Sequence, residues 1–436
     1  MRTILHIDFN SYFATVEQQA NPRLRGKPIG VTGGDRMKRT VLGAASVEAK
    51  KFGVKTGMQI WEAKKLCPNI ILVKGDSDKY LETTKRFLTI IKDYSPYVEV
   101  FSIDEVFMEI PAEHLRGEPM LNLEHTSEVS QRIAKEIKNR IHNEIGEWIT
   151  CSIGISYNKL MAKLAGSLHK PDGLVIIPNQ DEAIKILDKV ELDEICGIGP
   201  RIKARLNNMG IFNFSQLRKV PLPALLASFK SYGQTLYNMA RGIDESSVVP
   251  FYEKEEVKSI GHRHTLHHDT NNPEEIKQLL LKLTELIARR LRAKKLVGKT
   301  VSCWYREAFH SLGWNVFNTG GWIASNPRFF GDGMQTTVSP TNDGLEIFKA
   351  SWKIFHTIWS GDKIRMVGVS ISNLKPQNPQ NLSLLPETRR EEVILKAIDK
   401  INDKFGEFTL QRGTLLGSTK MTRKANPFLA DRRFKL

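Results

Sequence analysis

Two stretches decide how this chain folds: Thr3-Ile4-Leu5-His6-Ile7-Asp8 and Tyr97-Val98-Glu99-Val100-Phe101-Ser102-Ile103-Asp104-Glu105-Val106-Phe107-Met108-Glu109-Ile110. The first is alternating and β-branched and passes at once into the helix-like Asn10–Glu17, so Asp8 falls where a strand ends. The second alternates in two short runs about Ile103-Asp104-Glu105, the pattern of a hairpin with acids at its tip. If these strands are neighbours in one sheet, Asp8, Asp104 and Glu105 converge. Three carboxylates suffice to hold two Mg²⁺ ions, which prefer oxygen ligands and share them with substrate phosphates. Acids also gather at turns because turns are wet. The apolar alternation on both sides of Asp104-Glu105 favours the metal reading, since adjacent charges are awkward there unless a cation meets them.

Working outward, the text from Pro22 to Asp76 is Gly-rich and basic, with helix-like stretches at Ser46–Phe52 and Gln59–Leu66, and reads as a small inserted subdomain. Helical patterns at Ser77–Tyr94, Glu128–Ile145 and Lys159–His169 alternate with strands at Thr150–Ser156 and Leu174–Ile177, which implies one α+β sheet domain. Asp181–Ile243 is helical throughout. Asp244–Lys258 is polar, contains Pro250 and the run Glu253-Lys254-Glu255-Glu256, and reads as a linker. A second α+β unit follows. Asn272 caps its first helix, Pro273 suits the first helical position and Glu275 completes a capping-box-like start to an amphipathic run reaching Leu296. Strands at Thr300–Arg306 and Ile364–Leu374 and a helix at Leu345–Trp359 complete it. The Gly/Asn/Trp-rich segment Gly313–Asp343 reads as an insertion, and a polar stretch, a helix at Glu391–Phe405 and a basic end close the chain.

The 436 residues are 41% hydrophobic and 26% charged, enough to bury ordinary cores in two to four domains of about 100–200 residues. No run of about 18 apolar residues exists to span a bilayer, and the apolar start is too short for a signal peptide, so the expected location is the cytoplasm and no membrane partner is expected. Cys67, Cys151, Cys196 and Cys303 lie scattered without C-x-x-C pairing, which suits reduced buried thiols and argues against zinc. Sixty-four Lys and Arg against 48 Asp and Glu give +16, a charge that holds a polyanion by counterion release and makes nucleic acid the leading partner.

In order along the chain, Asp8-Phe9-Asn10-Ser11-Tyr12-Phe13-Ala14, Glu48-Ala49-Lys50-Lys51-Phe52-Gly53-Val54-Lys55-Thr56-Gly57-Met58, Ser102-Ile103-Asp104-Glu105, Gly154-Ile155-Ser156-Tyr157-Asn158-Lys159, Lys170-Pro171-Asp172-Gly173, Gly197-Ile198-Gly199 and Ser259-Ile260-Gly261-His262 resemble the Y-family translesion DNA polymerases. Phe13 and the later chain look like polymerase IV, whereas Asn10 and Val47 are closer to the catalytic subunit of polymerase V. The resemblance implies an α+β multidomain right hand. Its parts would be a ferredoxin-like palm (1–10 and 77–177), small fingers (11–76), a helix-hairpin-helix thumb (178–243), a linker (244–258), an α+β little finger (259–375) and a tail (376–436). The implied activity is template-directed addition of deoxynucleotides to a primer 3′ end by two-metal phosphoryl transfer, with low fidelity and processivity, across damaged sites.

Asp8, Asp104 and Glu105 fall on the family's metal-binding carboxylates, for two Mg²⁺ with Mn²⁺ as a substitute. Phe13 falls on the steric gate, where a bulky ring collides with a ribose 2′-hydroxyl. Phe9, Tyr12, Phe13, Lys50 and Lys170 fall on nucleotide-binding positions. The chain departs from many members at Ala44, Val47 and Lys50, where a Thr, a Tyr and an Arg are usual; Lys50 supplies charge without the planar fork of Arg. A weakened, DNA-binding accessory protein of the same fold is therefore the alternative reading. The G-x-G at Gly197 and Gly199 resembles a helix-hairpin-helix whose backbone N–H groups meet DNA phosphate, with Lys203 and Arg205 beside it. Arg263, with His264, is expected to face DNA from a little-finger strand, and Arg289, Arg290, Arg292, Lys294 and Lys295 read as a solvated helix end. Gln380, Leu382, Leu384 and Leu385 resemble the peptide that such polymerases place in a sliding clamp. The expected partners are primer-template DNA, a deoxynucleoside triphosphate and the clamp, for a monomeric enzyme. Gly33-Gly34-Asp35 resembles a cyclase signature but lacks the Glu-Phe that would follow, so a fingers turn is expected there.

Overall fold

The computed structural model describes residues 2–33, 40–111, 123–253, 256–308, 331–377 and 386–416. The chain divides into two units, the first running to Lys254 and the second beginning at Glu255.

The first unit is built on a five-stranded sheet in the order β5-β6-β1-β7-β8, with β1 Ile4–Phe9, β5 Val98–Val100, β6 Glu105–Glu109, β7 Cys151–Ser156 and β8 Leu174–Ile177. The expected hairpin is β5 and β6, paired antiparallel with Glu105 opening the second strand. β1 sits at the centre, antiparallel to both β6 and β7. Its period-2 alternation sends Leu5, Ile7 and Phe9 into a core completed by Phe87, Leu88 and Ile91 of the helix Ser77–Lys92 and by Ala134 and Ile137 of the helix Leu123–Arg140. The opposite face is covered by the helix Lys159–Leu168, and there the backbones meet. A Cβ on Gly154 would lie 2.1 Å from the Ala162 carbonyl oxygen and 2.2 Å from the Gly166 nitrogen.

Between β1 and β5 lies the inserted subdomain. Here α1 Tyr12–Ala20, α2 Val47–Lys51 and α3 Ile60–Leu66 accompany a three-stranded sheet of β2 Ile29–Thr32, β3 Leu42–Ala45 and β4 Ile71–Lys74, ordered β3-β2-β4, and α4 Ser77–Lys92 leads back to the larger sheet. The helices match the sequence reading and the sheet was not foreseen. Each strand is four residues long, too short for alternation to declare itself. The all-helical segment is as expected, with Pro200–Asn208 following Gly199. The expected linker begins as a strap on this same unit. Val248 is buried with Ile4, Phe107 and Ala162, the Val249 N–H donates to Glu99 at 2.8 Å, and the Phe251 N–H to the Val98 carbonyl at 2.9 Å. Of the four cysteines Cys196 is exposed, and the rest are buried as expected.

The second unit is a four-stranded antiparallel sheet ordered β11-β10-β12-β9, with β9 Ser259–Thr270, β10 Leu296–Glu307, β11 Gly333–Thr341 and β12 Ile364–Ser372. It is backed by the helices Pro273–Ala293 and Gly344–Ile358. Asn272 caps the first of these, accepting from the N–H groups of Glu274 and Glu275. That helix stops at Ala293, short of the expected Leu296, which opens β10. The Gly/Asn/Trp-rich segment Gly313–Asp343, read as an insertion, contains β11, a strand of this sheet; residues 309–330 lie outside the described residues, as do those of the clamp-like peptide and the basic end. The helix Pro386–Phe405 belongs to this unit, where Asp399 meets Arg292 at 2.6 Å and Asp403 pairs with Arg289. The basic helix end is thus partly neutralised within its own unit. Among the described residues no helix is long and apolar enough to cross a membrane.

Because the contact at Gly154 is backbone against backbone, no rotamer relieves it. Gly154→Ala is expected to lower unfolding free energy by about 3 kcal/mol, read by thermal or urea denaturation.

Candidate active site

Asp8 stands near the end of β1 and pairs directly with Glu105, the first residue of β6. Directly opposed residues of antiparallel strands share a face, so the register alone places two carboxylates side by side. Asp104 precedes Glu105 at the hairpin tip, its carbonyl accepting from the Phe9 N–H at 2.9 Å. The ligand atoms of His6, Asp8 and Glu105 lie within 4.8 Å of one another.

Two lysines and a neutral imidazole answer these charges. Lys170 Nζ is 2.9 Å from Asp8 Oδ1, His6 Nε2 is 3.1 Å from Glu105 Oε2, and Lys163 pairs with the same oxygen. Burial would push the Glu105 carboxyl up, but the His6 hydrogen bond and the Lys163 charge outweigh it and hold its pKa at about 2. Asp104 goes the other way. Burial raises its pKa, the Ser102 hydroxyl offsets part of this by donating to Oδ1, and the charges of Asp8 and Glu105 raise it further. Burial lowers the His6 pKa and keeps the ring neutral at pH 7, with Nδ1 buried and without a hydrogen-bond partner. Hard carboxylate oxygens crowded into mutual repulsion fit a divalent cation of the Mg²⁺ type.

Lys50, exposed on α2, has its pKa lowered by desolvation and then by Lys170, while Asp8 and Asp104 pull it back; the two lysines therefore lie within electrostatic reach of each other and of the acids. At α1, Ser11 has φ 50° and makes no side-chain cap, and its Oγ is buried without a partner. The first N–H groups of a helix have no intrahelical acceptor, so the start of α1 at Tyr12 and Phe13 is electropositive. Phe13 is partly exposed and stacks on Tyr80 with centroids 4.2 Å apart. Phe9 and Tyr12, expected at the nucleotide, have buried side chains: Phe9 packs on Phe87 at 4.2 Å, and the Tyr12 hydroxyl donates to the Tyr80 carbonyl at 2.8 Å. Both side chains are thus committed to the protein interior. Asn10 is locked by Thr150 at 3.1 Å and Ser152 at 3.0 Å.

The impB/mucB/samB family matches residues 7–167, its C-terminal domain matches residues 257–384, and the thumb domain of DNA polymerase-iota matches residues 193–244. A DNA polymerase IV of Pelotomaculum thermopropionicum is 36% identical over 414 residues, covering 95% of each chain. One from Moorella thermoacetica is 35% identical over 418 residues, covering 95% of this chain and 96% of its own. The chain belongs to the DNA polymerase IV family. A solved Y-family DNA polymerase chimera shares the fold, with a TM-score of 0.69 at 23% identity over 85% of this chain and 98% of its own. Membership makes the chain a DNA-directed DNA polymerase of translesion synthesis, with catalysis that depends on divalent metal. It also favours polymerase IV over polymerase V as the nearer likeness.

The remaining residues singled out in the sequence separate by environment. Gly197 has φ +108°, and a Cβ there would lie 2.8 Å from the Tyr232 hydroxyl, which donates to the Gly197 carbonyl; Gly199 has open space beside it. Lys203 is held by Asp193 at 2.7 Å and Glu191 at 3.0 Å, and Arg205 lies over the Phe229 ring at 4.9 Å. Arg263 is exposed on β9, but His264 is 7% exposed on the other face with Ile260 and Leu266, which corrects the expectation that it faces DNA. His6 and Lys163 went unnoticed in the sequence. His6 had a signal, since it precedes Asp8 by two residues on an alternating strand and so shares its face.

The raised Asp104 pKa has a consequence for stability. A carboxyl whose pKa is raised on folding stabilises fully below its ordinary value of 3.8, and loses that contribution as pH rises through the folded value. In EDTA at pH 7, Asp104→Asn is therefore expected to raise Tm, and the gain should vanish as pH approaches 4. A scanning-calorimetry series over that range is the check.

Proposed function

We propose that Asp8, Asp104 and Glu105 hold two Mg²⁺ ions, with Mn²⁺ as a substitute, at the end of the central strand. When bound, such a pair activates a primer 3′-hydroxyl and stabilises the charge of an in-line displacement of pyrophosphate. The observation that carries this reading is the Asp8–Glu105 pairing with Lys170 on Asp8, two acids and a cation at one strand end. The chain's own residues do the rest. Lys50, Lys170 and the N–H groups opening α1 supply positive potential for the triphosphate, and Phe13 presents a ring edge against a ribose 2′-hydroxyl. Lys163 and His6 fix Glu105.

The substrate is a primer-template DNA with an incoming deoxynucleoside triphosphate. The backbone at Gly197 and Gly199 and the side chains of Lys203, Arg205 and Arg263 contact phosphates of the DNA; for Lys203 this means exchanging Glu191 and Asp193 for the polyanion. The parts of the hand follow the boundaries read from the sequence, palm 1–10 and 77–177, fingers 11–76, thumb 178–243, linker 244–258, little finger 259–375 and tail 376–436. Small fingers of three short strands leave little surface to check a base pair, which supports low fidelity and low processivity. Gln380, Leu382, Leu384 and Leu385 anchor a monomeric enzyme to a sliding clamp in the cytoplasm.

Primer extension with Mg²⁺ on undamaged and abasic-site templates tests this. Distributive synthesis on both is expected, and Asp104→Ala/Glu105→Ala should reduce it at least about 10³-fold while DNA is still bound. No extension by the wild-type chain, with DNA bound, would instead support the accessory-protein reading and point to Ala44 and Val47.

A further inference from the structure

Glu17 is an acid at 5% exposure with no part in the phosphate chemistry. It stands four residues after Phe13 on α1, hence on the same helical face. Its Oε1 accepts from the Tyr80 hydroxyl at 2.7 Å and its Oε2 from Lys79 Nζ at 2.7 Å. Tyr80, at 3% exposure, lies flat on Phe13 with 11° between the rings. Its backbone carbonyl is taken by the Tyr12 hydroxyl. One residue of α4 is thus held by three residues of α1, Glu17 and Phe13 at its side chain and Tyr12 at its backbone. Nor is there slack behind it, since a Cβ on Gly75 would come within 3.2 Å of the Tyr80 hydroxyl and 3.0 Å of Val31 Cγ1.

A carboxylate taken out of water is costly unless paired, and a leucine would join the two helices without that penalty. What Glu17 adds over a leucine is direction: a hydrogen bond that fixes where the Tyr80 ring lies. Burial and the Glu17 carboxylate both raise the Tyr80 pKa, so its hydroxyl remains a donor across the working range. Phe13 has one face against that ring and is otherwise partly exposed. A stop for a 2′-hydroxyl works only if it does not yield, and the ring that backs it is the one Glu17 anchors.

We propose that Glu17 and Tyr80 are positioning residues for sugar selection, the Glu17–Tyr80 hydrogen bond fixing the ring against which Phe13 is braced. The inference rests on reading Phe13 as the steric gate, and it assigns a further role to residues that touch no substrate.

The test is single-nucleotide insertion by the full chain, with the ratio of kcat/KM for a deoxynucleotide over its ribonucleotide as the readout. Tyr80→Phe, which keeps the ring, and Glu17→Leu are each expected to lower that ratio by about tenfold, the worth of a hydrogen bond to a charged group. Glu17→Gln still accepts from Tyr80 and should stay within about threefold of wild type, as for exchange of one hydrogen bond for a weaker one. In a Phe13→Ala background, where the ratio should already have collapsed, Tyr80→Phe should change nothing more. If Phe13→Ala lowers the ratio but Tyr80→Phe does not, the brace is refuted and the gate survives. An equal effect of Tyr80→Phe with and without Phe13 also refutes the brace, because it would act independently of the gate. If Phe13→Ala leaves the ratio unchanged, gate and brace fall together. Should Glu17→Leu fail to fold, Tyr80→Phe alone decides.

Discussion

The structure turns on two carboxylates that its hydrogen-bond register forces together. Asp8 and Glu105 are direct partners across β1 and β6, and like charges so placed destabilise a sheet. The surrounding fold can be read as the answer to that repulsion. Lys170 comes from the turn between the helix Lys159–Leu168 and β8, and Lys163 from that helix itself. For the helix to lie close enough, β7 must carry a glycine at position 154.

The compensation is uneven, and the unevenness is informative. Glu105 has two donors and a strongly depressed pKa, whereas Asp104 has one hydroxyl and a raised one. Sites that keep an uncompensated carboxylate give up stability for chemistry, as functional sites commonly do. The metal demand of the family is thus visible as an electrostatic deficit in the protein's own side chains.

Much of this was legible in the sequence because it depends on local pattern. A strand ending at Asp8, a hairpin tipped by Asp104 and Glu105, an all-helical segment opened by Gly197 and Gly199, and a helix capped by Asn272 each announce themselves within a few residues. What was hidden depends on contacts distant in sequence. The strands β2, β3 and β4 are short, and their sheet is closed partly by a parallel pairing across some forty residues that leaves no local trace. Lys163 on Glu105, Asp399 on Arg292 and Val248 against the sheet likewise join positions that no periodicity connects. The burial of the Phe9 and Tyr12 side chains lay beyond the motif for a related reason: a motif names residues, but the alternation of β1 and the face of α1 decide which side chains turn inward.

The most direct test of the central claim is Mn²⁺ binding followed by electron paramagnetic resonance, with a non-hydrolysable deoxynucleoside triphosphate and primer-template DNA present. Two tightly bound ions per chain are expected, with loss of at least one of them in Asp8→Asn while circular dichroism shows the fold intact. Undiminished binding in Asp8→Asn would contradict this, because the strand-end pair would then not be what holds the metal.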